Sequence, residues 1–96
     1  MFVAGELFEH TFQTHAGEVG FLAEVRVIAT TLWLKDIAVY PAQAGELQLG
    51  TKETRNCLNQ IKKWALAAAF SELRITGERV SGASKGRAVR ITRVLQ

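Results

Sequence analysis

Basic side chains are concentrated near the C-terminal end of the chain. Residues 74–93, RITGERVSGASKGRAVRITR, hold five arginines and one lysine but only one carboxylate, Glu78. A guanidinium group presents planar N–H donors that match the oxygens of a phosphate, so this composition suits polyanion binding. The alternative is that arginines on an outer strand face only solvate it and discourage edge-to-edge pairing. Five side chains are the candidate polyanion-binding residues: Arg74, Arg79, Lys85, Arg87 and Arg90.

Strand alternation predicts where these side chains lie. If the apolar residues Leu73, Ile75, Val89 and Ile91 point inward, their neighbours point outward. Two Arg-x-Thr rows, Arg74–Thr76 and Arg90–Thr92, would then lie side by side on one exposed face, with the other three basic residues at the loop end. No aromatic residue interrupts residues 74–93, so the stretch itself offers no partner for base stacking.

The glycines in this stretch do not form a phosphate-binding loop. A Walker loop needs Gly-x-x-x-x-Gly-Lys followed by Ser or Thr, with a helix behind it. Here Ala83 stands where the lysine should be, Lys85 precedes Gly86, and a strand follows. Glycines that permit positive φ in a wide hairpin explain the pattern more simply.

His10 and His15 are the candidate catalytic residues, because histidine titrates near neutral pH. Five positions apart, they would face opposite sides of one strand and cannot form a two-histidine metal pair. His10 lies between Phe8 and Phe12, which equally fits a histidine in the core or at its rim. The carboxylates are scattered, and we predict neither a metal site nor a cofactor.

The length and composition predict one globular domain over residues 1–96. An apolar fraction of 48% argues against disorder, and the net charge is +3. No apolar run approaches the ~20 residues that a membrane span needs. No secretory signal is visible, and the single cysteine, Cys57, excludes an internal disulfide. We therefore expect a cytoplasmic protein.

Charge differs sharply between the two halves of the chain. Residues 1–50 hold two bases and six acids, whereas residues 51–96 hold ten bases and three acids. Such asymmetry favours either a polyanion partner or attraction between copies of the chain.

The elements that must position these residues follow the order β-β-β-α-β-β. Alternating apolar residues predict strands at 7–15, 19–28 and 31–40, with the second and third joined as a hairpin at Ala29 and Thr30. Apolar residues at helical spacing predict a long helix over about 51–70. Strands at 72–81 and 87–95 follow. We predict an α+β fold: one helix packed on one face of a mostly antiparallel sheet.

Apolar surface exceeds what one helix can cover. Continuous alternation along strand three places Leu32, Leu34, Ala38 and Tyr40 on one face and Trp33, Ile37 and Val39 on the other. We therefore expect a homo-oligomer, with Leu32, Trp33, Leu34 and Tyr40 as candidate interface residues. On the helix, we expect Ile61 and Trp64 to pack against strand two.

Three segments carry a resemblance to a known family: LWLKDIAVYP, LQLG, and LRITGERVSGASKGRAVRITRVL. They resemble the C-terminal module of RHS-type bacterial polymorphic toxins, over about residues 31–95. The shared motif falls on Thr76, Gly77, Arg79, Ser81, Gly82, Ala83 and Gly86, whereas Ser84–Lys85 replaces the Asn–Pro pair of those modules. The resemblance implies a bacterial origin and, for some members, attack on nucleic acid. The chain is also similar to free-standing proteins carried on mobile gene cassettes.

Three functions remain open. The first is a self-associating module whose basic C-terminal face binds RNA, DNA or another polyanion. The second is a toxin-like, metal-independent ribonuclease that uses His10 or His15 with Arg79 or Arg87, and it requires a histidine, an acid and an arginine to converge in one cleft. The third is a structural or small-molecule-binding oligomer. No catalytic constellation is recognisable in the sequence, so the enzyme ranks last.

Overall fold

The computed structural model describes residues 2–14, 17–41, 51–78 and 88–95. Within these ranges the chain forms five strands and one helix in the predicted order, which confirms the α+β fold. The elements are β1 (Leu7–Thr14), β2 (Gly17–Ile28), β3 (Thr31–Pro41), α1 (Thr51–Ala67), β4 (Glu72–Glu78) and β5 (Ala88–Val94).

The strands form one sheet in the order β1-β2-β3-β4-β5. The pairs β1–β2, β2–β3 and β4–β5 are antiparallel, and β3–β4 is parallel. Parallel neighbours need a crossover connection, and α1 lies between β3 and β4 in the chain. The sheet therefore consists of a three-stranded meander and a two-stranded hairpin that meet along one parallel pair.

The core lies between α1 and one face of the sheet. Cys57, Ile61 and Ala65 of the helix are buried there, one turn apart from each other. They join buried side chains from β1 to β4, which are Phe8, Phe12, Val19, Phe21, Ala23, Val25, Leu32, Leu34, Ile37, Leu73 and Ile75. The opposite face of the sheet, which we call the open face, has no helix against it in the described part of the chain.

A β-bulge in β3 changes the predicted faces of that strand. The register shifts between Leu34 and Ile37, where Asp36 adopts a positive φ of 55°. The extra residue lets Ile37 follow Leu34 on the helix side, so the alternation restarts. The predicted grouping was therefore wrong after residue 34: Ile37 and Val39 pack toward the core, and Ala38 and Tyr40 lie on the open face.

Gly77 of the Arg-Ile-Thr-Gly motif accommodates this bulge. A Cβ atom at Gly77 would lie 2.8 Å from the carbonyl oxygen of Ile37 and 2.9 Å from its backbone nitrogen. Such contacts are shorter than packed atoms permit, because backbone atoms cannot swing aside as a side chain can. Glycine therefore fits this position of the motif because β4 approaches the bulged strand too closely for a side chain.

Trp64 packs on β1. Its ring centroid lies 5.7 Å from that of Phe12, 4.7 Å from that of His10 and 6.4 Å from that of Phe8. The ring contacts of Trp64 are thus with the edge strand β1, and its expected packing against strand two stays a prediction. Ile61 is fully buried in the core, as the helical spacing predicts.

Candidate functional site

The open face carries charged and aromatic side chains that the fold leaves accessible. Its members alternate with core residues along every strand. They include Leu7 and Glu9 of β1, Leu22, Glu24, Arg26 and Ile28 of β2, Thr31, Trp33, Lys35, Ala38 and Tyr40 of β3, Glu72, Arg74 and Thr76 of β4, and Arg90, Thr92 and Val94 of β5.

Trp33 lies at the centre of this face. Its indole Nε1 donates a hydrogen bond of 2.8 Å to Oγ1 of Thr76 on the neighbouring strand. The Lys35 ammonium and the Arg74 guanidinium lie 5.6 Å and 5.8 Å from the ring centroid. Cations at this range are attracted to the ring quadrupole, so the half-buried indole and its two basic neighbours form one cluster.

Strand pairing brings further basic residues to the same cluster. Arg26 pairs with Trp33 across β2–β3, and Trp33 pairs with Arg74 across β3–β4. Thr76, which holds the indole, pairs with Arg90 of β5. We call these five residues, Arg26, Trp33, Lys35, Arg74 and Arg90, the Trp33 cluster. It combines one aromatic ring with four cationic groups on adjacent strands.

Two carboxylates lie among these cations, and each has a basic partner. Glu24 accepts a hydrogen bond of 2.5 Å from Arg26, and Glu72 lies 3.7 Å from Arg74. Both pairs are partly solvent-exposed, where such ion pairs contribute little energy and leave guanidinium donors available. Within the described strands, Lys35 and Arg90 have no ion-pair partner, so they are the cations most available to an anionic ligand.

The predicted polyanion-binding residues divide into two groups. Arg74 and Arg90 lie on the open face, on neighbouring strands, in the expected Arg-x-Thr rows. Arg79, Lys85 and Arg87 lie outside the described residues. Arg93, which was not a candidate, points to the helix side of β5, opposite Leu73, and is exposed.

His10, the candidate catalytic histidine within the described residues, is not brought to the described arginines. His10 lies on the helix side of β1, packed against the rings of Phe12 and Trp64 at 4.7 Å each. Arg74 and Arg90 are on the opposite side of the sheet. His15 lies outside the described residues, so a site that combines it with Arg79 or Arg87 stays a prediction.

The candidate interface residues lie on opposite faces of the sheet. Leu32 and Leu34 are fully buried in the core of one chain, so neither side chain is available to a second copy. The prediction that they line an interface was wrong because the helix covers the face on which they lie. Trp33 and Tyr40 are on the open face, together with the exposed apolar side chains Leu7, Ile28 and Val94.

Sequence reasoning missed the contact between Trp33 and Arg74. These residues are 41 positions apart and become neighbours only through the parallel β3–β4 pair. A strand–helix–strand order does signal a parallel crossover, and it could have placed β4 beside β3. It carries no information on register, so it could not have paired these two residues.

Other site chemistries have no support in the described ranges. No group of three or more histidine, cysteine or acidic side chains there could hold a metal ion. Cys57 is buried in the core. None of the helical structure in these ranges is sufficiently long and apolar to cross a membrane.

No protein-family model matches the chain, and no curated protein or solved structure matches it either. The resemblance to RHS-type toxin modules and to gene-cassette proteins therefore stays a prediction, and the function has to be argued from the open face itself.

Proposed function

We propose that this chain is a small bacterial cytoplasmic protein that binds nucleic acid through the open face of its sheet. The observation that carries the proposal is the Trp33 cluster, in which two cationic side chains lie over one aromatic ring and two more lie on strands β2 and β5 of the same face. Lys and Arg supply the phosphate contacts that dominate nucleic-acid affinity, and an aromatic ring adds a surface for a base. The bacterial origin rests on the resemblance in sequence.

The phosphate contacts predict how binding responds to salt. No set of side chains for reading base edges is evident on the open face, so affinity should depend weakly on sequence. It should fall steeply as salt rises, because bound cationic groups displace counterions from the phosphates. Arg74→Gln and Arg90→Gln should each reduce the slope of log affinity against log salt by about one.

Arg93 provides the matched control. Arg90 and Arg93 are both exposed residues of β5, and they point to opposite faces of the sheet. Arg90→Gln and Arg93→Gln remove the same charge from the same strand, so total charge cannot distinguish them. Fluorescence anisotropy of labelled RNA and DNA should show weaker binding for Arg90→Gln and near-parental binding for Arg93→Gln. No binding by the parent protein at low salt would contradict the proposal, as would equal losses in the two variants.

Self-association through the open face is the second candidate function. Four exposed large apolar side chains of the described residues lie there: Leu7, Ile28, Tyr40 and Val94. Several exposed apolar side chains on one face of a sheet are a feature of surfaces that contact a partner. A structural oligomer would use the same face as nucleic acid. Trp33 would then be covered by a second copy in one case and would contact nucleic acid in the other.

A further inference from the structure

We infer that the ligand of the open face is single-stranded and that it stacks one base on Trp33; this rests on the proposed function. A base exposes its flat face to a protein ring only when it is not stacked within a duplex. The hydrogen bond to Thr76 holds one edge of the indole against β4, so the ring is presented in a fixed orientation before any ligand arrives. A preorganised ring loses less side-chain freedom on binding.

The cations around the ring suit the backbone of a single strand. Lys35 and Arg74 lie over the Trp33 ring, within 6 Å of its centroid. A stacking base takes the place of a cation over the ring, and the displaced ammonium or guanidinium group can then contact the phosphates that flank this base. Arg90 lies two strands away from Trp33, ~10 Å across the sheet, and extends the cationic surface toward β5. The cluster thus offers a stacking ring at one point and phosphate contacts that lead away from it.

A duplex would need a different surface. Double-stranded DNA accepts a helix or a two-stranded ribbon in its major groove, and double-stranded RNA is recognised mainly by shape. In the described structure α1 lies on the other side of the sheet, and its exposed residues include Arg55, Asn59 and Lys63. A duplex bound by that side of α1 would not involve Trp33. We therefore expect the binding of a single strand and the binding of a duplex to have different effects on Trp33 emission.

The two tryptophans allow the stacking of a base on Trp33 to be measured directly. Trp33 lies on the open face and Trp64 on the helix side, and the chain contains no other tryptophan. Trp64→Phe keeps an aromatic ring against Phe12 and leaves Trp33 as the single tryptophan, whose emission is excited selectively at wavelengths that tyrosine does not absorb. Trp33→Phe leaves Trp64 as the single tryptophan and serves as the converse control. Thermal unfolding of both variants verifies that each is folded before titration.

Each variant is titrated with a labelled strand of about 12 nucleotides, a length within the range of known single-strand sites, and with the same strand annealed to its complement. We expect the single strand to quench Trp33 emission in Trp64→Phe and to leave Trp64 emission unchanged in Trp33→Phe. Trp33→Leu, which removes the ring but keeps an apolar side chain, should weaken single-strand binding by about 5- to 100-fold.

The outcomes separate this inference from the proposed function. Equal affinity for strand and duplex, or single-strand binding without a change in Trp33 emission, would overturn the inference and leave nucleic-acid binding intact. No binding of either ligand at low salt would overturn the proposed function itself. Emission of Trp33 that changes with protein concentration alone would indicate that a second copy covers the ring, and it would also overturn the inference.

Discussion

Trp64 connects α1 to the edge of the sheet through a cluster of rings. It contacts Phe8, His10 and Phe12, and Phe12 in turn packs on Phe21 of β2 at 4.9 Å. Edge-to-face and offset arrangements such as these add to the free energy gained from burial alone. His10 is thus part of an aromatic cluster, which agrees with the interpretation of a histidine at the rim of the core.

Trp64→Ala should lower the free energy of unfolding by about 2–4 kcal/mol, because it removes a half-buried ring and leaves a cavity above β1. Lys63→Ala, at the adjacent exposed position, should change it by less than about 0.5 kcal/mol. Urea unfolding monitored by circular dichroism measures both. Equal stability of the two variants would show that α1 does not pack on β1 through this residue.

At the level of single residues, the sequence predicts which way a charged side chain points better than it predicts which apolar side chains are buried. Alternation correctly placed Arg74 and Arg90 outward, because both flank inward-facing aliphatic residues. It could not show that Leu32 and Leu34 are fully buried and Trp33 half-buried, since all three are apolar. Which side of an apolar strand the helix covers depends on tertiary packing, not on the strand's own composition.

The helix illustrates how an element ends. Phe70 donates its backbone N–H to the carbonyl of Ala65 at 3.1 Å, and Ala69 donates to Leu66 at 3.0 Å. These are the two bonds of a Schellman motif, in which the residue after the cap adopts a left-handed conformation. Ala69 fills that position with φ of 70°, although glycine is the usual residue there.

Ala69→Gly should therefore raise the free energy of unfolding by about 1 kcal/mol, because glycine adopts positive φ without a steric cost. Ala68→Gly offers the opposite case one residue earlier, where φ is not positive, and should lower stability by about 0.5–1 kcal/mol. Thermal denaturation of the two variants shows whether each substitution raises or lowers the free energy of unfolding. A loss of stability in both would mean that the left-handed conformation of Ala69 is not maintained in solution.

At the level of elements, the order of strands and helix was predictable, and two features of their arrangement were not. Periodicity switches from two to 3.6 and back along the chain, which locates α1 between strands. The bulge at Asp36 has no signature in sequence alternation, so Ile37 and Ala38 were placed on the wrong faces. The parallel register that pairs Trp33 with Arg74 depends on how α1 crosses the sheet. Of the Trp33 cluster, therefore, only Arg74 and Arg90 were predicted as polyanion-binding residues.

For the molecule as a whole, the two sides of the sheet have different surfaces. On the open face Ile28 is 51% exposed and Val94 is 74% exposed, and the residues paired between them across the sheet are Thr31 and Glu72. On the other side of the molecule, Leu66 of α1 is 45% exposed. These positions permit a direct comparison of the two surfaces as sites of self-association.

Ile28→Glu should convert a self-associated protein to a monomer if copies meet at the open face, because burying an unpaired carboxylate in an apolar contact is costly. Leu66→Glu adds the same charge at a comparably exposed position on α1 and should leave the assembly intact. Sedimentation at micromolar protein distinguishes the two. A parent protein that sediments as a monomer throughout would rule out self-association and leave the open face to other partners.

The parallel β3–β4 pair also affects the order in which strand pairs form during folding. The hairpins β1–β2, β2–β3 and β4–β5 join strands that are adjacent in the chain, and such units close in ~1–10 μs. Contact between Leu34 and Ile75 must instead close a loop that contains α1, and non-local contacts of this kind slow folding. Substitutions at these two residues should therefore slow folding rather than hasten unfolding. Because Trp33 and Arg74 become neighbours only in this step, the open face acquires its binding geometry with the β3–β4 pairing and not with the hairpins alone.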